Sequence, residues 1–270
     1  MPVRRGRPPI RSVEVLPHTG ALTPPERPNI VFVAGVRPVR PCLMGEKMTV
    51  SDAAAVSEKN THYDKSYFDK TFEHQRYAAY FDRLKFERFV GPSDRVIDFG
   101  CGGGYILSGL NVRDRAGVEI NEAAAAVARK NGIQVFDSLE KIEEGWADVI
   151  ISHHALEHVD DPLSTVRLML TRLRAGGRIV LVTPSESFKM RYREDDPNFH
   201  LFTWSPGNLG NLLKRAGFTE ISAVPVHHRW PRYWWLVGPV VGRSVMNRIC
   251  TVYGRLMTGI SQVRAIGYRP

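Results

Sequence analysis

Asp98, Gly100, Gly102 and Gly104 stand at alternate positions after an apolar run, in "RVIDFGCGGGYIL" (95–107). Glycine tolerates positive φ and has no Cβ, so a ligand can lie against bare backbone there. Amides at the start of a helix following such a loop favour negative charge by ~0.3–1 kcal/mol. Nineteen residues after Gly100, Glu119 comes near the end of a second apolar run, "RAGVEI" (115–120). A carboxylate in that place can accept from both hydroxyls of a ribose. Spacing separates the two cofactor classes that such a loop could serve. A dinucleotide needs glycines at relative positions one, three and six. Counting from Gly100 puts Tyr105 at position six, and counting from Gly102 puts Leu107 there. An acid two residues before the first glycine would also repel a pyrophosphate. Asp98 suits a ligand carrying an ammonium and a sulfonium, as S-adenosylmethionine (SAM) does.

Histidine is the residue type best matched to proton transfer near neutral pH. His153, His154 and His158 follow a fourth apolar run, and His200 precedes a late helix. SAM is already an activated methyl donor. Holding a nucleophile in line can supply ~7–11 kcal/mol, against about 10²–10⁴-fold from a general base. Positioning therefore contributes more than proton transfer. His154 and His200 are the histidines expected to face substrate as catalytic groups. "HHALEH" places His154 and His158 at i, i+4, but the spacing indicates no third ligand, so no metal is expected. Cys101 reads as a small filler in a tight turn, with no basic partner to activate it.

These residues need elements to hold them. Strand-like runs at 95–99, 115–120, 133–137, 147–152, 178–184 and 219–226 alternate with helix-like runs. Asn121 is expected to cap the alanine-rich helix after Glu119. Pro162 is expected to open the next helix, with Gly176-Gly177 ending it. Ser205-Pro206 and Gly217 bound a later one. Such alternation with short links makes an α/β parallel sheet covered on both faces. Upstream, Phe72, Tyr77, Tyr80, Phe81, Leu84 and Phe89 recur as one helix face would, stopped at Gly91-Pro92.

Charge is uneven. The net charge of +9 concentrates in residues 1–47 (about +5) and 226–270 (about +7), leaving the middle near −3. A nucleic-acid enzyme more often carries its basic surface around the cleft, so no nucleic-acid partner is expected. Residues 1–47 hold nine of the 18 prolines and read as a disordered basic arm, or as sequence upstream of a start at Met44 or Met48. Three scattered cysteines form no disulfide framework, which favours a reducing cytoplasm. No run reaches the roughly 18 apolar residues of a membrane span.

"VIDFGCGGGYIL" and "GVEIN" resemble motifs I and II of the class I SAM-dependent methyltransferases. "DVIISHHALEHVDDPLSTVRLMLTRLRAGGRIVLVTP" and "FHLFTWSPGNLGNLLKRAGF" are similar to the small-molecule branch of that family. The resemblance covers about residues 63–225 and a terminal strand at 262–270. It implies a Rossmann-like doubly wound seven-stranded sheet, ordered 3-2-1-4-5-7-6, with strand 7 antiparallel. It implies that Gly100, Gly102 and Gly104 lie against the amino-acid part of SAM and that Glu119 binds the ribose. Asp137 would reach the adenine amine, Ser152 or His153 would line the methionyl end, and His158 would brace the fold.

The organisation expected is an arm (1–47), a helical cap (48–92), a SAM-binding core (93–225), a helical insertion (226–261) and the last core strand (262–270). An antiparallel last strand would put the insertion above the active site. The insertion is aromatic, arginine-bearing and free of acid, and two helices interrupted at Gly238-Pro239 would fit it. It is either a lid that receives an apolar, lipid-linked or phosphorylated acceptor at an anionic membrane surface, or a cap packed on the core or on a second copy. Methyl transfer to a small-molecule, glycan or lipid-linked acceptor is expected, most readily at oxygen. The rivals are a non-catalytic scaffold of the same fold and a nucleic-acid methyltransferase. The latter lacks its Asn/Asp-Pro-Pro-aromatic signature, with "SHHAL" in its place.

Overall fold

In the computed structural model, residues 76, 78–186, 191–194, 196, 198–257 and 262–270 are described. The arm and most of the expected N-terminal cap lie outside them. The sheet is built from β1 (Arg95–Phe99), β2 (Asp114–Val118), β3 (Gln134–Phe136), β4 (Ala147–His153), β5 (Leu173–Pro184), β6 (Thr219–Val226) and β7 (Gln262–Tyr268). Their order is β3-β2-β1-β4-β5-β7-β6, and β7 runs antiparallel to both neighbours. From β1 the chain winds outward through β2 and β3, then returns to lay β4 on the other side of β1. The reversal leaves a crevice at the carboxyl ends of β1 and β4, where α/β sheets bind ligands.

Period-2 alternation sorts the strand residues between two apolar layers. Ile97, Ile150, Ile179 and Leu181 face one layer, while Val96, Val149, Ile151 and Val180 face the other, and all are fully buried. Burial on both faces is what a parallel sheet with helices on each side requires.

The helices begin where their caps allow. Asn121 accepts from the amide of Ala124 and opens α1 (Glu122–Lys130), which buries Ala124, Ala125 and Ala128. Asp161 caps α2 (Pro162–Arg172), with Pro162 in its first turn. Ser205 and Asn208 form a capping box at α3 (Pro206–Ala216), and Gly217 ends it at φ 111°.

Four local expectations are corrected. Gly176-Gly177 does not end α2; the helix stops at Arg172 and β5 begins at Leu173. The glycines instead serve a register shift beside β4, where a Cβ on Gly177 would lie 2.9 Å from the Arg174 carbonyl oxygen. After the glycine loop there is only a single 3₁₀ turn, Leu107–Gly109, so no helix dipole is aimed at the loop. Upstream of β1 the helical segment gives way to 3₁₀ turns at Arg83–Lys85 and Glu87–Phe89; Phe81 is buried as expected, but Phe86 is buried as well and Tyr80 is half exposed. The insertion forms α4 (Trp234–Val241) and α5 (Arg243–Met257), broken at Gly242 rather than at Gly238-Pro239.

Candidate functional site

The crevice encloses about 490 Å³, within the usual range for small-molecule pockets. Its wall includes Asp98, Gly100, Gly102, Glu119, His153 and His154 from the sheet edge, with Glu157, His158 and His200 at one end. Three residues of the upstream helical segment, Ala78, Ala79 and Asp82, also line it.

Asp98 ends up here because β1 is buried on both faces and its penultimate side chain has nowhere to go but the crevice. Only 3% of the residue is exposed. Burial, with the Glu119 charge adding to it, pushes the Asp98 carboxyl up to about 8. Glu119 follows β2 and accepts two backbone hydrogen bonds, from the amide of Gly102 (2.9 Å) and that of Asn121 (2.8 Å). Burial still holds it above the usual carboxylate range, although those amides pull the other way. Two acids are thus kept close together in a largely dehydrated cleft. Each is harder to ionise than in water, and an incoming cation would relieve both.

The glycines divide between two tasks. Gly100 (φ 72°) packs so tightly that a Cβ would come 2.4 Å from that of Ala155, and it borders the cavity with Gly102 and Gly103. Gly104 does not line the cavity. A Cβ there would strike Ile133 at 2.2 Å and Ala128 at 3.1 Å, so its bareness serves the packing of α1. That corrects the expectation that all three alternate glycines face a ligand. Cys101 is buried against β2, and burial pushes its thiol far up, which agrees with an inert filler.

Two other expected contacts are not brought to the cavity. Asp137 is exposed, pairs with Lys141 at 2.7 Å and lies outside the lining, because β3 ends short and turns outward. Ser152 is buried, and its hydroxyl donates to the Phe99 carbonyl at 2.9 Å, tying β4 to β1. Ile120, not singled out from the sequence, lines the cavity while 70% exposed. Its place directly after the strand-ending acid is the signal that could have found it.

The histidines fall into two groups. His153 accepts from the Lys85 ammonium (3.1 Å) and stacks on His154 at 4.3 Å. Lys85 in turn pairs with Asp82 at 2.6 Å. Burial holds both imidazoles well below their ordinary range, so they are neutral. Gln262 at the start of β7 donates its side-chain amide to His154 Nε2 (3.0 Å). The second group is His158 and His200, with ring centroids 4.9 Å apart. His200 Nδ1 lies 2.6 Å from a Glu186 carboxylate oxygen. With Nδ1–H donated there, Nε2 carries the lone pair. Between these rings sits Glu157, fully buried, its carboxyl pushed up to about 8 chiefly by burial. The fold thus gathers Glu157, His158 and His200 with one donor atom each within 4.8 Å of one another. Glu157 and His200 are 43 residues apart, and spacing around "HHALEH" alone does not reveal that meeting.

Of the two readings of the insertion, the structure departs from the lid over the site and agrees with the packed cap. Among the described residues none of 226–257 lines the cavity. Instead Trp230 and Trp234 pack edge-on against Phe81, and Arg243 pairs with Glu87 at 2.6 Å. The insertion therefore braces the helical segment that covers the cavity. Arg191 and Arg193 are exposed and also lie outside the lining.

A model of a methyltransferase domain family matches residues 72–223. Among curated proteins, the chain is similar to the ubiquinone biosynthesis O-methyltransferase of Aromatoleum aromaticum (strain DSM 19018 / LMG 30748 / EbN1). The two are 31% identical over 110 residues, 35% of this chain and 46% of that protein. The enzyme of the same name from Acinetobacter baumannii (strain AYE) is 25% identical over 168 residues, 52% of this chain and 70% of that one. The chain spans about half the length of the first curated relatives it matches. A SAM-dependent methyltransferase of Archaeoglobus fulgidus has the same fold at TM-score 0.52 and 19% identity, covering 73% of this chain and 98% of that one. So does phosphoethanolamine N-methyltransferase 2 of Haemonchus contortus, solved with SAM, at TM-score 0.53 and 14% identity over 76% of this chain and 60% of that one.

Glu119→Ala is expected to weaken SAM binding by about 1–3 kcal/mol, the scale for losing charged hydrogen bonds. Glu119→Gln should lose less, because its amide oxygen can still accept from Gly102 or Asn121. Calorimetric titration of both variants checks this, and unchanged affinity in Glu119→Ala would remove that residue from the site.

Proposed function

The chain belongs to the class I SAM-dependent methyltransferases, and from that premise we propose that it methylates a hydroxyl of a small or lipid-linked acceptor, bound at the His158–His200 end of the cavity. SAM supplies a methyl group on a positively charged sulfur, ready for in-line displacement. The observation that carries the assignment of its seat is the pair of raised carboxylates, Asp98 and Glu119, beside bare backbone at Gly100 and Gly102. Asp98 takes the cationic amino-acid end. Glu119, anchored by two amides, offers its remaining lone pairs to the ribose. Ile120 offers an exposed apolar side chain to the adenine.

The chain's own contribution is positioning and the exclusion of water. Ala78, Ala79 and Asp82 cover the cleft, and the insertion holds that cover in place through Phe81. Two neutral histidines, His153 and His154, line the cavity without adding charge near a cationic donor. Gln262 occupies His154 Nε2, which leaves His154 as a hydrogen-bond donor at Nδ1. His200 is the imidazole with a carboxylate on one nitrogen and a lone pair on the other, facing the acceptor end. The relatives' name, O-methyltransferase, supports oxygen as the accepting atom.

The outer face of the insertion supports an acceptor delivered from a membrane. Leu236, Val240 and Leu256 are 65%, 85% and 78% exposed. Exposed Arg248 and Arg255 lie on α5, and exposed Arg229 and Arg232 in the segment just before α4; no acid is found from 226 to 270. Apolar side chains among arginines suit an anionic lipid surface. No described helix is long and apolar enough to cross a membrane.

The experiment is methyl transfer from labelled SAM into extract separated into organic, aqueous, nucleic-acid and protein fractions. Label is expected in the organic fraction, in a base-stable form, and transfer should rise when vesicles containing anionic lipid are added. Label confined to nucleic acid or protein would overturn the acceptor class. Transfer indifferent to vesicle charge would overturn the membrane arm.

A further inference from the structure

We propose that Glu157, His158 and His200 hold a divalent cation of the zinc type at the acceptor end of the cavity, where it would polarise the acceptor hydroxyl. The inference rests on the methyl-transfer reading above and names what activates the nucleophile.

Four observations carry it. Glu157 is 0% exposed, and neither of its carboxylate oxygens has a hydrogen-bond partner. A buried carboxylate left in that state costs several kcal/mol unless a charge joins it. His158 Nε2 and His200 Nε2 lie 3.8 and 4.0 Å from the same oxygen, Glu157 Oε1. Those distances are too long for hydrogen bonds. They suit donors that share an ion at about 2.0–2.2 Å from each, after a shift of a few tenths of an ångström.

The second coordination layer is also built. Glu186 holds His200 Nδ1 at 2.6 Å, which leaves Nε2 as the lone-pair donor facing Glu157. A carboxylate behind a histidine is the usual arrangement for metal-ligating imidazole. The loop carrying His200 is fastened to the ligand turn as well, since the amides of Leu201 and Phe202 both donate to the Glu157 carbonyl, at 2.9 and 3.1 Å. Finally, the three side chains border the cavity, so further coordination positions would open onto bound acceptor. Two imidazoles, one carboxylate and an open position make a catalytic rather than a closed structural site, and the donor set favours zinc-like cations over magnesium or calcium.

The chemistry balances without any redox step. The acceptor hydroxyl binds the cation, which lowers its pKa, and its proton leaves to solvent. The oxygen's electron pair forms the new O–CH₃ bond while the C–S bond of SAM breaks, and its electrons return to sulfur as a neutral thioether. In this arrangement His200 Nε2 is a ligand and holds no proton.

The test uses the full chain, stripped with chelator and titrated with zinc chloride alone, followed by cobalt(II) substitution. One site per chain is expected, with visible bands typical of nitrogen and oxygen donors. Glu157→Gln and the double variant His158→Asn/His200→Asn should each weaken it at least about tenfold, and Glu186→Gln by about 10–100-fold as a loss behind the ligand. A near-ultraviolet spectrum and a SAM titration on the same samples show which variants stay folded. Should the ligand variants unfold, Glu186→Gln decides the matter. No site in the parent chain, equal binding by the folded variants, or a thiolate charge-transfer band would each overturn the proposal. SAM binding that persists while zinc binding fails sinks the cation site alone, whereas failure to bind SAM sinks the methyl-transfer reading on which it rests.

Discussion

Asp98→Asn is expected to make the unliganded protein more stable and its SAM complex weaker. The Asp98 carboxyl moves from 3.8 to about 8 on folding, so the folded state holds its proton more tightly than the unfolded chain. Stability from this group is therefore lost as pH rises from about 4 to about 8, and no further slope appears above that. Each unit is worth about 1.4 kcal/mol, so at pH 7 the cost is on the order of a few kcal/mol. Asparagine carries no ionisable proton and removes that cost. The variant should melt higher than the parent at pH 7 to 8, and the two should converge near pH 4. The same change removes a charged partner for the donor's ammonium, which should weaken SAM binding by ~1.5–3 kcal/mol. Opposite signs in the two measurements distinguish an acid kept for binding from one kept for folding. A variant that melts lower and binds SAM equally well would mean Asp98 is a structural residue.

His200→Ala carries the second large effect. It is expected to lower kcat about 10²–10⁴-fold, the scale for losing a group that handles or polarises the acceptor proton. SAM affinity should stay within about twofold, since Asp98 and Glu119 hold the donor. His154→Ala should cost less, because Gln262 already takes its lone pair. Glu186→Gln keeps a hydrogen-bond acceptor for His200 Nδ1 but removes the charge, and its loss should fall between the two. Steady-state assays on an accepting fraction separate these. An equal loss in SAM affinity and in kcat for His200→Ala would put that residue in the donor site or in the fold.

The sheet could be foreseen because its signals are local and periodic. Apolar runs of five to eight residues alternate with capped amphipathic stretches, and Asn121, Pro162 and Ser205 each sit at the helix start their chemistry favours. The meeting of the two acids in the proposed cofactor seat was legible for a related reason. Asp98 and Glu119 end adjacent parallel strands, β1 and β2, so topology alone brings them together once the strands are placed. Other residues were misplaced where packing outweighs motif. Gly104 matches the loop pattern but its missing side chain makes room for Ala128 and Ile133. Asp137 depends on how far β3 runs before it turns, which three residues of strand do not fix. Ser152 spends its hydroxyl on Phe99 because β4 is buried against β1. The His158–His200 end of the cavity was least visible. It joins Glu157 and His158 to His200 and Glu186, from segments that meet only after β5 has crossed the sheet. The insertion shows the same limit: its arginine and apolar content was plain, but its seat on Phe81 follows from tertiary packing of tryptophans.

Two acids that await a cation, Asp98 buried and Glu119 half-buried, are the heart of the proposed cofactor seat. The measurement that addresses them most directly is calorimetric titration of the full chain with SAM near pH 7, repeated in two buffers of different ionisation enthalpy. The expected result is one SAM per chain with close to one proton released, because the arriving cation draws Asp98 into its charged form, and with no release in Asp98→Asn. Absence of binding, or binding with no proton released by the parent chain, would contradict it.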